Sequence, residues 1–129
     1  MLAEFRHRLR LFLQFSETAS QKIGLQPQQH QLLLQIAGAP AGTATTIGYL
    51  AGRLGVRHNT AVELSHRCEE AGFITRRHGE SDRRYILLEV TRKGQQILDL
   101  LSIDHARELN EFAPQLIRTL TELRAGSGE

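Results

Sequence analysis

The sequence predicts a mainly helical protein of the α+β class, in which one short β-hairpin interrupts a series of helices. Apolar residues recur every three or four positions along most of the 129-residue chain, which is the spacing of amphipathic helices. The exception is residues 73–90, where two short runs with β-branched and aromatic residues flank a charged, glycine-containing turn. Such runs are typical of a hairpin. We expect a single domain over residues 1–129, because this length supports one hydrophobic core.

Two helices are predicted before residue 38. An apolar stripe predicts the first helix over residues 2–22, and Gly24 is well placed to end it. The second helix follows Pro27 and leads into the sequence GAPAGTATT at residues 38–46. This stretch, rich in Gly, Pro and Thr, predicts a loop with one short strand pairing.

A helix, a tight turn and another helix are predicted next. The third helix covers residues 46–54, and Gly55 lies just past its end, where a positive φ is often required. The fourth helix covers residues 58–71 and ends at Gly72. Helical spacing places four of its residues on one side, which we expect to pack against the rest of the domain: Ala61, Leu64, Ser65 and Cys68.

The hairpin and two further helices complete the prediction. The strands cover residues 73–78 and 84–90, joined across residues 79–83. A fifth helix opens near Thr91. A separate last helix is predicted to begin near Ala113, because Pro114 suits the first position of a helix.

This order of elements predicts a winged helix-turn-helix. In that architecture one helix fits the major groove of a duplex and the hairpin reaches a neighbouring minor groove. The net charge of the chain is only +2, but its distribution is uneven. Residues 53–93 contain nine Lys and Arg against six Asp and Glu, and the remaining residues contain seven against eight. The positive charge therefore lies in the segment predicted to meet DNA.

The fourth helix is predicted to read DNA with the side opposite its packing face. Eight residues are predicted to lie there or beside it: Arg57, His58, Asn59, Thr60, Val62, Glu63, His66 and Arg67. Asn59 can pair with an adenine edge, Val62 can touch a thymine methyl, and Glu63 can accept from a cytosine amine or orient an arginine. The alternative is that Asn59 and Thr60 only cap the start of the helix.

The hairpin carries five charged residues predicted to belong to the DNA surface. Arg83 and Arg84 lie at its tip, where a guanidinium can enter a narrow, electronegative minor groove. Asp82 beside them is unfavourable near DNA unless it has a role. Arg76 and Arg77 alternate along a strand, so at most one of them faces DNA. The alternative is a solvated turn with incidental charges.

The chain resembles the MarR (multiple antibiotic resistance regulator) family of winged helix-turn-helix regulators. The match is carried by LQPQQHQLLLQI at residues 25–36 and by the whole stretch at residues 47–94. The pair Asp82-x-Arg84, followed by Thr91 and Gly94, matches the wing signature of the family. In the family, the aspartate matching Asp82 helps to hold the wing arginine that matches Arg84. Arg83 matches a variable position and is expected to contact phosphate.

The resemblance implies a homodimeric, sequence-specific regulator of transcription, expected to be a repressor, that binds double-stranded DNA at a pseudo-palindromic operator. It divides the chain into a winged lobe at residues 27–91 and dimerisation helices at residues 1–24 and 92–125. The apolar stripes at both ends of the chain support a partner, because a small winged-helix core cannot bury them. The alternative is that they pack on each other within one monomer.

A small aromatic or phenolic ligand releases DNA from many members of the family. In relatives such a ligand lies where the first, second and fifth helices meet the DNA-binding lobe. Four residues of this chain are candidates to line that pocket: Phe12, Phe15, His30 and Leu34. The alternative is that all four belong to the ordinary core.

Two departures from the family pattern are visible. Ala61, Ser65 and Cys68 stand where relatives usually place larger apolar residues, so looser packing of the fourth helix is expected. Arg57 stands at the usual small capping position, which predicts a weak helix start.

Other classes of function receive little support from the sequence. A single cysteine excludes a disulfide within the monomer, and Cys68 falls on the packed face, where thiols are commonly inert. His66 and Cys68 point apart on a helix, so no metal site is expected, and no motif predicts catalysis or a cofactor.

We expect a cytoplasmic protein that does not contact a membrane. The N-terminal segment is too charged for a signal peptide, and no apolar run approaches the roughly 18–20 residues that span a bilayer. Two rival hypotheses remain: a winged-helix protein-interaction module without DNA binding, and a metal- or redox-responsive sensor.

Overall fold

A computed structural model of the chain describes residues 1–127. Within them it has helices and strands in the following order: α1 (Leu2–Lys22), α2 (Pro27–Ala37), α3 (Ile47–Leu54), α4 (His58–Glu70), β1 (Ile74–His78), β2 (Ile86–Val90) and α5 (Arg92–Ser127). The mainly helical fold with one antiparallel hairpin is confirmed. Among residues 1–127, no helix combines the length and the apolar character that a bilayer span requires.

The chain forms two compact units. The central unit is Leu25–Asp99, and the terminal unit contains Met1–Gly24 together with residues 100–127. The central unit therefore holds α2, α3, α4 and the hairpin, while the terminal unit holds α1 and most of α5.

Glycine and proline set the first helix boundaries as the sequence predicted. Gly24 has a φ of +79°, and its N–H donates to the carbonyl of Gln21 at 3.0 Å, which ends α1. Pro27 is the first residue of α2, where its missing N–H is not needed. Ahead of it, the backbone N–H of Gln26 donates to Oε1 of Gln29 at 3.0 Å, as part of a capping box.

The helix-turn-helix begins with a well-capped α3. The Thr46 hydroxyl accepts from the backbone N–H of Tyr49 at 3.1 Å. Gly55, with a φ of +68°, follows the last residue of α3 in the left-handed conformation, as the sequence predicted. Ile47, Leu50 and Ala51 are buried, so α3 faces the core of the central unit with its apolar side.

The loop before α3 pairs with the hairpin, as predicted. The backbone N–H of Leu88 donates to the carbonyl of Thr45 at 3.0 Å, and the Thr45 hydroxyl donates to the carbonyl of Leu88 at 2.7 Å. Thr46 forms an isolated antiparallel bridge with Leu87. These contacts attach β2 to the start of the helix-turn-helix.

The hairpin is slightly shorter than predicted. Its register pairs Ile74 with Val90 and His78 with Ile86. The second strand starts two residues later than expected, because the backbone N–H of Arg84 donates to the carboxylate of Asp82 and not across the ladder. One face of the sheet is buried, at Ile74 and Leu88.

The prediction of a separate last helix near Ala113 is wrong, because α5 runs unbroken from Arg92 through Pro114 to Ser127. An internal proline removes one backbone hydrogen bond. Contacts with α1 on both sides of Pro114 offset that loss. Before it, Phe112 is buried and stacks on Phe12 with 5.5 Å between ring centroids, and after it, the side chain of Gln115 accepts a hydrogen bond from Arg8.

The end of α4, the hairpin and the start of α5 meet at one junction. The Thr91 hydroxyl donates to the carbonyl of Gly72 at 2.6 Å, and the Thr91 N–H donates to the carbonyl of Phe73 at 2.9 Å. Nζ of Lys93 donates to the carbonyl of Ala71 at 2.7 Å and lies 5.1 Å from the centroid of the Phe73 ring. A lysine thereby satisfies a carbonyl at the C-terminus of α4.

A substitution of Gly94 by alanine tests how closely this junction is packed. The added Cβ would lie 2.3 Å from the carbonyl oxygen of Phe73 and 2.8 Å from Cγ1 of Val90, so backbone must shift. We expect Gly94→Ala to lower the free energy of unfolding in urea by about 1–3 kcal/mol. The control is Gly52→Ala within α3, where the added Cβ meets nothing within 4 Å. It should raise stability by about 0.5–1 kcal/mol. Equal stability of Gly94→Ala and the wild type would contradict the close packing.

Candidate nucleic-acid interface

The helix α4 packs with the face that the sequence predicted. Ala61, Leu64, Ser65 and Cys68 are all buried. Ser65 and Cys68 have no exposed surface, so the small residues on this face do not leave it open to solvent. This packing fixes which side of α4 is available to a partner.

The other side of α4 is a polar surface. Val62 is half-buried, and the other seven residues predicted for DNA contact are exposed: Arg57, His58, Asn59, Thr60, Glu63, His66 and Arg67. Arg57 occupies the N-cap position without a side-chain cap bond, which agrees with the weak start that the sequence predicted. Asn59 and Thr60, which the alternative assigned to capping, are the second and third residues of α4 and follow this N-cap position.

Glu63 and Arg67 form a loose pair on this surface. Oε1 of Glu63 lies 3.9 Å from Nη2 of Arg67, and the two side chains are 74% and 54% exposed. Such an exposed pair contributes little to stability. The Glu63 carboxylate thus keeps most of its capacity to accept hydrogen bonds from an outside donor.

The wing is the hairpin of β1 and β2 with the turn between them. At its tip, the carboxylate of Asp82 holds the side chain of Arg84. Nη2 of Arg84 donates to Oδ2 of Asp82 at 2.7 Å, and Nε of Arg84 lies 3.1 Å from Oδ1. Oδ1 also accepts the backbone N–H of Arg84 at 3.0 Å. Asp82 thus contacts both the side chain and the backbone of Arg84, while the Arg84 side chain remains 87% exposed. The guanidinium is both oriented and accessible.

Protonation equilibria follow from this contact. The hydrogen bonds from the side chain and then the backbone of Arg84 lower the pKa of Asp82 below its ordinary value. In return, the carboxylate raises the pKa of Arg84. Both groups therefore stay charged across the physiological range, and the pair persists there.

The turn of the wing is closed by two further contacts and by a close approach of the backbone at Gly79. Nδ1 of His78 lies 2.7 Å from the carbonyl oxygen of Arg83, and the N–H of Gly79 donates to the carbonyl of Tyr85 at 3.0 Å. A Cβ on Gly79 would lie 2.8 Å from the carbonyl oxygen of Asp82, so glycine permits a close approach of the backbone here. The side chain of Arg83 is exposed at the tip.

Arg76 and Arg77 have different partners. Nε of Arg77 donates to Oε1 of Glu89 at 2.6 Å on the exposed face of the hairpin. Arg76 is half-buried, and its Nη1 donates to the hydroxyl of Ser65 on α4. The strand alternation that the sequence predicted is present, and it directs Arg76 toward α4.

Residues of α4 and of the wing surround one depression of about 250 Å³. Its lining includes His58, Val62, Arg76, Arg84, Tyr85 and Ile86. The sequence had not singled out Tyr85, an exposed aromatic residue directly after Arg84, or Ser65 as the partner of Arg76. The position of Tyr85 directly after Arg84 was a usable signal, whereas a contact between residues 65 and 76 requires knowledge of the packing.

The four residues predicted to line a ligand pocket fall in both units. In the terminal unit, Phe15 lies against His105 with 5.4 Å between ring centroids, and Phe12 stacks on Phe112. Phe15 also lines a cavity of about 250 Å³. In the central unit, His30 is buried, whereas Leu34 is 42% exposed on α2. The pocket remains a prediction.

Cys68 is completely buried in the packed face of α4. Burial raises the pKa of its thiol to about 11, so the thiol is largely protonated at neutral pH. Within residues 1–127, no group of three or more His, Cys, Asp or Glu is arranged to hold a metal ion.

Comparison with known proteins places this surface in context. A family model described as MarR family matches residues 23–84, which include α2, α3, α4 and β1. No curated protein is similar enough in sequence to count as a match.

Several solved structures share the fold. AbsC, a MarR family transcriptional regulator from Streptomyces coelicolor, is 22% identical, with a TM-score of 0.76 over 93% of this chain and 82% of that chain. A mutant of MepR from S. aureus, bound to an oligodeoxyribonucleotide, is 18% identical, with a TM-score of 0.70 over 95% and 94%. CouR from Rhodococcus jostii RHA1, bound to p-coumaroyl-CoA, is 20% identical, with a TM-score of 0.70 over 91% and 80%.

The burial of Cys68 predicts slow chemistry at its sulfur. A pKa of about 11, raised from 9.0, lowers the thiolate fraction at pH 8 about 100-fold. We expect a disulfide reagent such as DTNB to label the native protein at least that much more slowly than the urea-unfolded chain. The stability that the buried neutral thiol contributes is present below about pH 9 and is lost as the pH rises through about 11. Rapid labelling of the native protein would instead favour the redox-sensor hypothesis.

Proposed function

We propose that the chain is a cytoplasmic, sequence-specific regulator of transcription of the MarR type that binds double-stranded DNA, since a MarR family model matches residues 23–84. The observation that carries the proposal is the exposed guanidinium of Arg84, held by Asp82 at the tip of the wing. A guanidinium fixed on an extended hairpin suits a narrow minor groove, whose negative potential attracts it. The function is one of binding, and we assign no catalytic role to any residue.

The exposed side of α4 is proposed to enter the major groove. Asn59 offers a bidentate amide to an adenine edge, and Val62 offers an apolar contact to a thymine methyl. The carboxylate of Glu63 can accept from the amine of a cytosine, while repelling phosphates. Arg57 and Arg67 lie at the margins of this surface and suit phosphate contacts.

We propose that the protein acts as a homodimer on a pseudo-palindromic operator, and that it represses transcription there. The terminal unit supports a partner, since α1 and α5 already contact each other through Phe12 and Phe112 and still leave apolar side chains exposed. Leu2 and Ile117 are each 62% exposed. A two-fold dimer would place two copies of α4 about 34–36 Å apart, one turn of the duplex.

Release of the operator by a small aromatic ligand is a further part of the proposal. CouR, which shares the fold, is bound to p-coumaroyl-CoA. In this chain, Phe15 lines a cavity of the terminal unit that also carries two cations, Lys22 and Arg107, and three carboxylates, Asp104, Glu108 and Glu111. A ligand regulates DNA binding only if it has different affinities for the free and the DNA-bound states.

Two rival functions make different use of these residues. A winged-helix module that binds proteins has no need of an arginine held outward by a carboxylate at the wing tip. A redox sensor requires a reactive thiol, whereas Cys68 is buried with a raised pKa. DNA binding uses the outward-held arginine and requires no reactive thiol.

Selection from a random duplex pool, followed by fluorescence anisotropy, tests DNA binding. We expect the wild type to select a pseudo-palindrome, and its affinity to fall with salt with a slope of about 0.9 per phosphate contact. Arg84→Ala should weaken binding roughly 10–100-fold and reduce the preference for A·T pairs at the flanks. Arg118→Ala on the exposed surface of α5 is the matched control and should bind like the wild type. Absence of any selected duplex, or binding that is independent of salt, would contradict the proposal.

The proposed dimer is tested by sedimentation equilibrium without DNA. We expect a mass of about 29 kDa, which is twice the 14.5 kDa of one chain. Ile117→Glu places a charge on the exposed apolar surface of α5 and should shift the mass toward the monomer. Ile117→Leu retains apolar surface and should remain a dimer. A monomeric wild type at micromolar concentration would overturn the assignment.

A further inference from the structure

A hydrogen-bond chain links the wing to the middle of α4. Nη1 of Arg76, on β1, donates to the hydroxyl of Ser65. The same hydroxyl donates to the backbone carbonyl of Val62 at 2.7 Å, within α4. Ser65 has no exposed surface and Arg76 is half-buried, so this chain is largely shielded from water.

This hydrogen-bond chain connects the two surfaces that are proposed to contact DNA, the exposed side of α4 and the wing. Val62 and Arg76 both line the depression that also contains Arg84 and Tyr85. Arg76 pairs with Leu88 in the ladder, at the middle of the hairpin whose tip carries Arg84. A charge-assisted hydrogen bond in a shielded place is stronger than a neutral one. The hairpin is therefore attached to α4 at a point between its base and its tip.

Ser65 is chemically suited to this role. Its single proton is committed to the carbonyl of Val62, which leaves lone pairs on Oγ to accept from the guanidinium. An apolar side chain at this position could pack against the core but could not accept a hydrogen bond. Replacing Ser65 by alanine would remove this acceptor and leave the positive charge of Arg76 in place.

We propose that Arg76 is a positioning residue that, through Ser65, fixes the separation between α4 and the wing. The operator would then need one fixed distance between the major-groove bases under α4 and the minor groove under the wing. The proposal rests on the proposed function and specifies which feature of the DNA this contact selects. Arg76 thus contributes to specificity through spacing, without requiring a base contact of its own.

Duplexes with altered spacing test this inference. The starting duplex is the selected operator, with the segments under α4 and under the wing mapped by footprinting. A second duplex carries one extra base pair between these segments in each half-site. The insertion shifts the flanking groove by about 3.4 Å along the axis, so a rigidly held wing loses its contact. We expect the wild type to bind the second duplex roughly 10–100-fold more weakly.

Ser65→Ala should make this penalty small. We expect the variant to bind the starting duplex up to roughly tenfold more weakly than the wild type and to lose about threefold or less on insertion. Its salt slope should match that of the wild type, because no charge is removed. Thr75→Ala, on the exposed face of the same strand, is the matched control and should keep the full penalty. Arg76→Gln repeats the test with a substitution outside the core, in case Ser65→Ala fails to fold.

Each outcome decides between the two proposals. If Ser65→Ala or Arg76→Gln suffers the same insertion penalty as the wild type, the positioning role is overturned while DNA binding stands. A uniform loss of affinity for both duplexes leads to the same conclusion, because it reflects stability alone. If the wild type selects no duplex, the proposed function fails and the positioning role falls with it. A reduced penalty in both variants, with Thr75→Ala unchanged, supports the inference.

Discussion

The close contact between Gly94 and the carbonyl of Phe73 is the constraint on which the arrangement of α4 and the hairpin depends. At this point the end of α4, both ends of the hairpin and the start of α5 come together, and a methyl group in place of the glycine hydrogen would meet backbone at 2.3 Å. Thr91 and Lys93 add hydrogen bonds to the carbonyls of Gly72 and Ala71. Because these groups satisfy carbonyls that would otherwise lack partners at the helix end, the direction in which α4 leaves the core is tightly specified.

Local chemistry explains which parts of the fold could be predicted from the sequence. Gly24 and Gly55 end helices because they adopt a positive φ, and the buried face of α4 follows from helical spacing alone. The continuity of α5 could not be predicted, since the local cost of Pro114 is offset by a contact between Phe12 and Phe112, 100 positions apart in the sequence. For the candidate site, the charged residues were identifiable, but the contact of Arg76 with α4 depends on tertiary packing.

The pairing of Asp82 with Arg84 means that net charge is a poor guide to the proposed DNA-binding surface. The carboxylate removes one unit of positive charge from the wing tip, which weakens its long-range attraction for phosphates. In exchange, hydrogen bonds from three nitrogens of Arg84 restrict the conformations of a long side chain before any partner arrives. An exposed ion pair contributes little to stability. In the proposed DNA binding, the pair instead reduces the conformational entropy that the Arg84 side chain would lose.

The same reasoning applies to Glu63 on α4. Its carboxylate faces solvent 3.9 Å from Arg67, a separation too long for a strong hydrogen bond. An acidic group on a surface that meets phosphates reduces affinity for DNA in general, because repulsion acts at every sequence. It can recover that loss only where a base offers a donor, and cytosine offers one in the major groove. Such a residue lowers the affinity for every DNA site and restores it at the few sites that offer a donor. It therefore increases the ratio of specific to non-specific affinity, which decides how a regulator is distributed among many competing sites.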